Sequence, residues 1–122
     1  MAMSALADAV YEILRGRVPT HGDPRISYQD LANSLPPPHN GMEGSDMRLW
    51  GALGEIVQAC RAKALAALSA IVVRKEGGKL EYPGAGYYTV AHPNEAGDVA
   101  KAAIAWANEL QKVKQTVYPL TL

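Results

Sequence analysis

The sequence predicts an α+β domain, mostly helical, with one β-hairpin. Three observations predict it. Apolar residues recur every three to four positions in four separate stretches. Two short runs rich in β-branched and aromatic residues, 68–74 and 86–90, interrupt that periodicity. Clusters of Gly and Pro stand between the stretches and mark loops.

The first helix is expected over residues 3–15, where Leu6, Val10, Ile13 and Leu14 form one stripe. Ser4 is its candidate N-cap, and Gly16 and Pro19 close it. Residues 19–24 form a loop. Arg25 and Ile26 are expected in a very short strand. Ser27 and Asp30 resemble a capping box for a second helix with Tyr28, Leu31, Ala32 and Leu35 on its apolar face. Pro36, Pro37 and Pro38 end it, because each lacks an N–H. A loop covers 36–45. Ser45 or Asp46 then caps a third helix running to about 64, whose stripe is Leu49, Trp50, Leu53, Ile56, Val57 and Cys60. The run 68–74 is expected as a strand, Gly77-Gly78 as a turn, and 86–90 as the antiparallel partner strand at the far side of a long arm. Asn94 is a candidate cap for a last helix reaching Gln115, striped by Val99, Ala103, Trp106, Leu110 and Val113. Residues 116–122 form an extended tail.

That order is the order of a winged helix-turn-helix: three helices and a hairpin wing, with an extra C-terminal helix. The expected division is 1–92 for the winged helix. Residues 93–122 then form a helix and tail that pack on it or make an oligomer interface.

The chain has 122 residues, 48% of them apolar and 20% charged, too apolar for a disordered chain and too short for a multidomain enzyme. The longest mostly apolar run, 64–73, is far short of the roughly 20 residues that span a bilayer. The start lacks the basic segment and apolar block of a secretory signal. One Cys excludes an internal disulfide framework and a Cys-rich zinc site. These features lead us to expect a cytoplasmic protein without metal or cofactor. Phe is absent, so the core must rest on Leu, Val, Ile and Ala with a few Tyr and Trp.

Several segments resemble a known family. They are Val18-Pro19, Ile26-Ser27-Tyr28-Gln29-Asp30-Leu31-Ala32, Pro36, Arg48 with Gly51-Ala52-Leu53, Ala70-Ile71-Val72-Val73, and Gly77-Gly78. Together they resemble the winged-helix domain of the alkylguanine-DNA alkyltransferases and their alkyltransferase-like relatives, over about residues 10–90. The resemblance implies a DNA-binding winged helix whose third helix carries an arginine, here Arg48, that fills the space left by a flipped base. It does not imply alkyl transfer. Where the family has Pro-Cys-His-Arg, this chain has Ser69-Ala70-Ile71-Val72. Without a thiolate there is no nucleophile for that reaction. The spacing at Gly51-Ala52-Leu53 also differs from the family's by one residue.

The candidate DNA contacts are Arg48, Arg61 and Lys63 on the third helix and Arg74, Lys75 and Lys79 on the wing. Each also reads as an ordinary solvated cation, and Glu76 and Glu81 dilute the wing. Twelve basic residues balance twelve acidic ones, which argues against strong non-specific DNA binding and keeps a protein-interaction module in view. On that alternative Trp106, Leu110 and Tyr118 anchor a homodimer or a protein partner. Cys60 reads as core, and His21, His39 and His92 as solvated loop residues without metal-ligand spacing. Gly77-Gly78 and Gly84-Ala85-Gly86 read as turns rather than phosphate loops, the latter leading into a strand. Tyr87 and Tyr88 are expected on opposite faces of that strand. The sequence therefore supports a non-enzymatic, regulatory DNA-binding protein, with an assembly module and an alkyltransferase-like damage reader as alternatives.

Overall fold

In a computed structural model the chain is described over residues 3–18 and 22–122. Pro19 and His21, which entered the readings above, lie outside the described residues. The fold is α+β. Its order is α1 (Ala5–Arg15), β1 (Ile26–Ser27), α2 (Tyr28–Asn33), α3 (Met47–Ala62), a 3-10 turn (Leu68–Ile71), β2 (Val72–Val73), β3 (Lys75–Glu76), β4 (Lys79–Leu80), α4 (Ala85–Ala91) and α5 (Val99–Gln115).

The caps of the first three helices come from the expected residues. Ser4 Oγ accepts from the Ala7 amide, Ser27 Oγ from the Asp30 amide, and the Asp46 carboxylate from the Arg48 amide. The stripes then meet in one core. Val10 and Leu14 of α1, Leu31 of α2, and Leu49, Ile56 and Cys60 of α3 are fully buried together. Glu55 ties α3 to the start of α1, accepting from both the amide and the hydroxyl of Ser4 at 2.9 and 2.8 Å.

The second half departs from the sequence reading. Residues 68–71 form a 3-10 turn, and only Val72 and Val73 are strand. All six are buried, so the run has no exposed face to give it the alternation of a surface strand. Ser69 Oγ donates to the Leu53 carbonyl at 2.8 Å, which satisfies the one hydroxyl there. β2 pairs in parallel with β1, Ile26 opposite Val72. Residues 86–90 are not a strand; they lie within α4. Tyr-Tyr-Thr-Val favours strand intrinsically, but packing overrides it. In a helix Tyr87 points into the core while Val90 lies against Gly54 of α3. Tyr87 and Tyr88 therefore do not take opposite faces of a strand; their rings meet edge to face at 5.3 Å.

The hairpin is correspondingly shorter than expected. Gly77 and Gly78, at φ 57° and 79°, make a two-residue turn, and β3 pairs with β4 across it. Two further bonds between Arg74 and the 81–82 segment extend the ladder. Gly84-Ala85-Gly86 leads into a helix, with Gly84 as its N-cap. The last helix starts at Val99, capped by Asp98 rather than Asn94, because 93–97 are turn.

α5 and the tail complete the same core instead of forming a separate layer. Trp106 donates from its indole nitrogen to the Ala70 carbonyl at 2.9 Å, and Tyr118 from its hydroxyl to the Ala66 carbonyl at 2.7 Å. Tyr11 of α1 donates to the Pro119 carbonyl. Among the described residues no helix is long and apolar enough to cross a membrane.

Two positions test this backbone. A Cβ on Gly44 would lie 2.6 Å from the Gln29 amide nitrogen and 2.8 Å from its Cα, a contact backbone atoms cannot yield. Gly44→Ala is expected to cost about 2 kcal/mol in urea denaturation. Ala64 stands at φ 56° just past α3, where the Leu65 amide closes back on the Cys60 carbonyl at 2.8 Å. Ala64→Gly relieves that left-handed strain and is expected to stabilise by about 0.5–1 kcal/mol in the same assay.

Candidate nucleic-acid interface

The outward edge of α3 carries Met47, Arg48, Trp50 and Gly51, all exposed. Arg48 folds back on its own cap and pairs with Asp46 at 2.7 Å. The Arg48 guanidinium, by hydrogen bond, holds the Asp46 carboxyl at about 2. The arginine side chain is still 73% exposed, so this surface pair is weak and its charge is available. Lys63 lies exposed just beyond the end of the helix.

Arg61 is differently employed. Its two Nη atoms donate to the two oxygens of Glu109 on α5 at 3.1 and 2.6 Å. Glu109 is 5% exposed and also accepts from the Ala67 amide at 2.9 Å. A fork committed to a buried carboxylate is not free to meet a phosphate. On the hairpin, Arg74 pairs with Glu76. Register places Lys79 across from Glu76 and Lys75 across from Leu80, so the two lysines stand on opposite faces. All six candidate cations are exposed, and Arg61 is the one whose fork is committed to a buried carboxylate.

The residues expected to anchor an oligomer are mostly interior. Trp106 is 8% exposed, with Tyr82 edge-on against it at 5.8 Å. Tyr118 is 7% exposed, and Leu110 is half-buried against the core. Cys60 is buried and free, and burial pushes its thiol up, away from a reactive thiolate. His39 is half-buried in its loop. His92, expected in solvent, is half-buried instead. Its Nε2 lies 2.9 Å from the Tyr87 hydroxyl and 3.7 Å from Glu109.

Beside the open edge of α3 lies a feature the sequence reading missed. An apolar cavity of about 330 Å³ is walled by Trp50, Leu53 and Val57 of α3, Tyr87 and Val90 of α4, and Tyr28. Tyr28 fixes the two sides. Its hydroxyl accepts from the Gly84 amide at 2.8 Å, and its ring lies 6.3 Å from that of Trp50. Burial pushes the Tyr28 hydroxyl up, so it stays protonated there. Trp50 is held in turn by the Gly44 carbonyl, which accepts from its Nε1 at 3.3 Å. Ser69 lines the cavity but spends its hydroxyl on Leu53, and among the described residues no His or carboxylate lines the cavity to activate it. The signal that reveals this cavity is the spacing of Tyr87 and Val90, three residues apart, which aligns them on a helix and not on a strand. Among the described residues no group of three His, Cys, Asp or Glu side chains is placed to hold a metal ion.

No family model matches the chain, and no curated protein or solved structure matches it either.

The Arg61–Glu109–His92 cluster predicts an acid-sensitive fold. Burial pushes Glu109 up, but the Arg61 fork and the Ala67 amide outweigh it, leaving the carboxyl below its ordinary 4.5. Burial lowers His92 below its ordinary 6.5, with Glu109 opposing and Arg61 assisting. Both depressed values contribute stability that is complete above the ordinary value and lost as pH falls through the folded one. Thermal melts are expected to decline first below 6.5, from His92, and again below 4.5, from Glu109. His92→Gln should remove the first decline only. At neutral pH Glu109→Gln is expected to cost about 3 kcal/mol, the low end for a broken buried pair because Arg61 is part-exposed.

Proposed function

We propose that this protein binds duplex DNA as a non-enzymatic winged helix, with α3 entering a groove and the Gly77-Gly78 hairpin alongside it as the wing. The observation that carries the reading is the junction of the bare edge of α3 with the apolar cavity. Met47, Trp50 and Gly51 belong to both. The order of α1, β1, α2, α3, β2 and the hairpin supports it, as do the exposed cations Arg48, Lys63, Arg74, Lys75 and Lys79.

The cavity favours a second, narrower reading: an alkyltransferase-like damage reader that accepts a base swung out of the stack. Flat aromatic walls and few polar groups suit an alkylated base better than a normal one, whose polar edge would be left unpaired. Ala70 stands where the resembled family has its Cys, so there is no thiolate there for transfer, in keeping with reading alone.

The test is binding of fluorescent duplexes over a salt series. A plain duplex is expected to bind with a log–log salt slope of about −3. Arg48→Ala with Arg74→Ala should weaken it about tenfold or more at low salt, and unchanged affinity would sink the DNA reading. A duplex with one alkylated guanine should bind about tenfold tighter than plain. Val90→Trp, which crowds the cavity, should erase that preference while leaving plain-duplex affinity intact.

A further inference from the structure

The ends of α1 and α5 meet in a second cleft that the DNA reading does not use. It has a volume of about 340 Å³, and its lining includes Arg15, Lys114, Gln115, Val18, Val117 and Tyr118. We propose that this cleft binds an organic phosphate, its phosphate group held by Arg15 and Lys114 and its organic body lying on Val18, Val117 and Tyr118.

Arg15 is the reason. Five of the six arginines have an acceptor: Arg17 uses the Pro24 and Arg25 carbonyls, and Arg25, Arg48, Arg61 and Arg74 each use a carboxylate. Arg15 has none. It is half-buried, and its Nε is the one buried side-chain nitrogen or oxygen without a partner among the described residues. A buried donor without an acceptor is a cost that native structures avoid unless a ligand or ion removes it. Lys114 lines the same cleft and has no carboxylate within ion-pair distance among the described residues. Asp23 feels its charge but is already bound by Arg25.

Among the described residues neither cation bonds to a helix-end carbonyl: at the end of α1 the Glu12, Leu14 and Arg15 carbonyls accept from the Gly16, Arg17 and Val18 amides, and at the end of α5 the Val113 and Lys112 carbonyls accept from the Thr116 amide and hydroxyl. Both cations suit the negative helix ends, yet neither has a protein acceptor among the described residues, and the Nε of Arg15 is shut off from water as well. A planar guanidinium fork beside an ammonium is the donor set that phosphate oxyanions use. The cleft is also built in advance. Tyr118 is fixed by its bond to Ala66, and the tail by the bond from Tyr11 to Pro119. Val117, 91% exposed, gains cover only when something lies against it.

The site is tested by titrating phenyl phosphate and inorganic phosphate at constant ionic strength, followed by thermal shift and NMR. Phenyl phosphate at about 10 mM is expected to raise the melting temperature, more than inorganic phosphate does. Arg15→Gln should weaken binding about tenfold or more, and Lys114→Gln about threefold. Without ligand, Arg15→Gln should melt at the same or a higher temperature, because it removes the buried Nε donor that has no partner. No shift with either phosphate, equal binding by the Arg15 variant, or a ligand-free variant that melts lower would each overturn the proposal. A short duplex added in competition identifies the source. Displacement of phenyl phosphate assigns the cleft to nucleic-acid backbone phosphate, and its retention assigns the cleft to a free phosphate ester. Arg48 and Arg74 play no part here, so failure at this cleft leaves the groove reading of α3 standing.

Discussion

The buried carboxylate of Glu109 holds the molecule's second half to its first. One side chain on α5 receives the Arg61 fork from α3 and the Ala67 amide from the connecting segment, and it stands 3.7 Å from His92 at the end of α4. A carboxylate this enclosed is tolerable only when its lone pairs are filled. Filling them fixes where α5 crosses the 3-10 turn, and so where Trp106 and Tyr118 enter the core. The same cluster sets the pose of α4 through the contact between His92 and Tyr87.

The apolar cavity follows from that pose. α3 and α4 pack together but both contribute walls to the cavity between them. Tyr87 is buried at one end, Val90 approaches Gly54 at the other, and Tyr28 spans the gap with its hydroxyl on the Gly84 amide. Gly44 completes the arrangement by letting the loop before α3 touch the α2 backbone and hold the Trp50 indole. A small set of hydrogen-bonded aromatics thus keeps open a space that unconstrained apolar side chains would close. That rigidity makes the open edge of α3 a candidate recognition surface rather than an incompletely packed one.

The cations divide by the same logic. Arg61 and Lys63 stand at the end of one helix, and sequence spacing cannot tell them apart. A carboxylate 48 positions away makes the difference, committing the arginine's fork to a buried partner while the lysine stays in water. Arg15 shows the reverse. Nothing in its surroundings along the chain marks it as unpaired, and only where α1 meets the α5 tail is its Nε seen to be buried without an acceptor among the described residues.

What short range decides could be read from the order of residues alone. Ser4, Ser27 and Asp46 cap their helices because a side-chain oxygen and an amide two or three residues on need no distant partner. The stripe of α3 and the Gly77-Gly78 turn are legible for the same reason: periodicity and positive φ are local properties. Residues 86–90 and 68–71 were not legible in this way. Their β-branched and aromatic side chains prefer strand by a fraction of a kcal/mol, and burying Tyr87 or the whole Leu68–Ile71 turn is worth more. The cavity, the employment of Arg61 and the unmet donors of Arg15 were likewise decided by tertiary structure. Each depends on groups dozens of residues apart, and neither propensity nor spacing carries that distance.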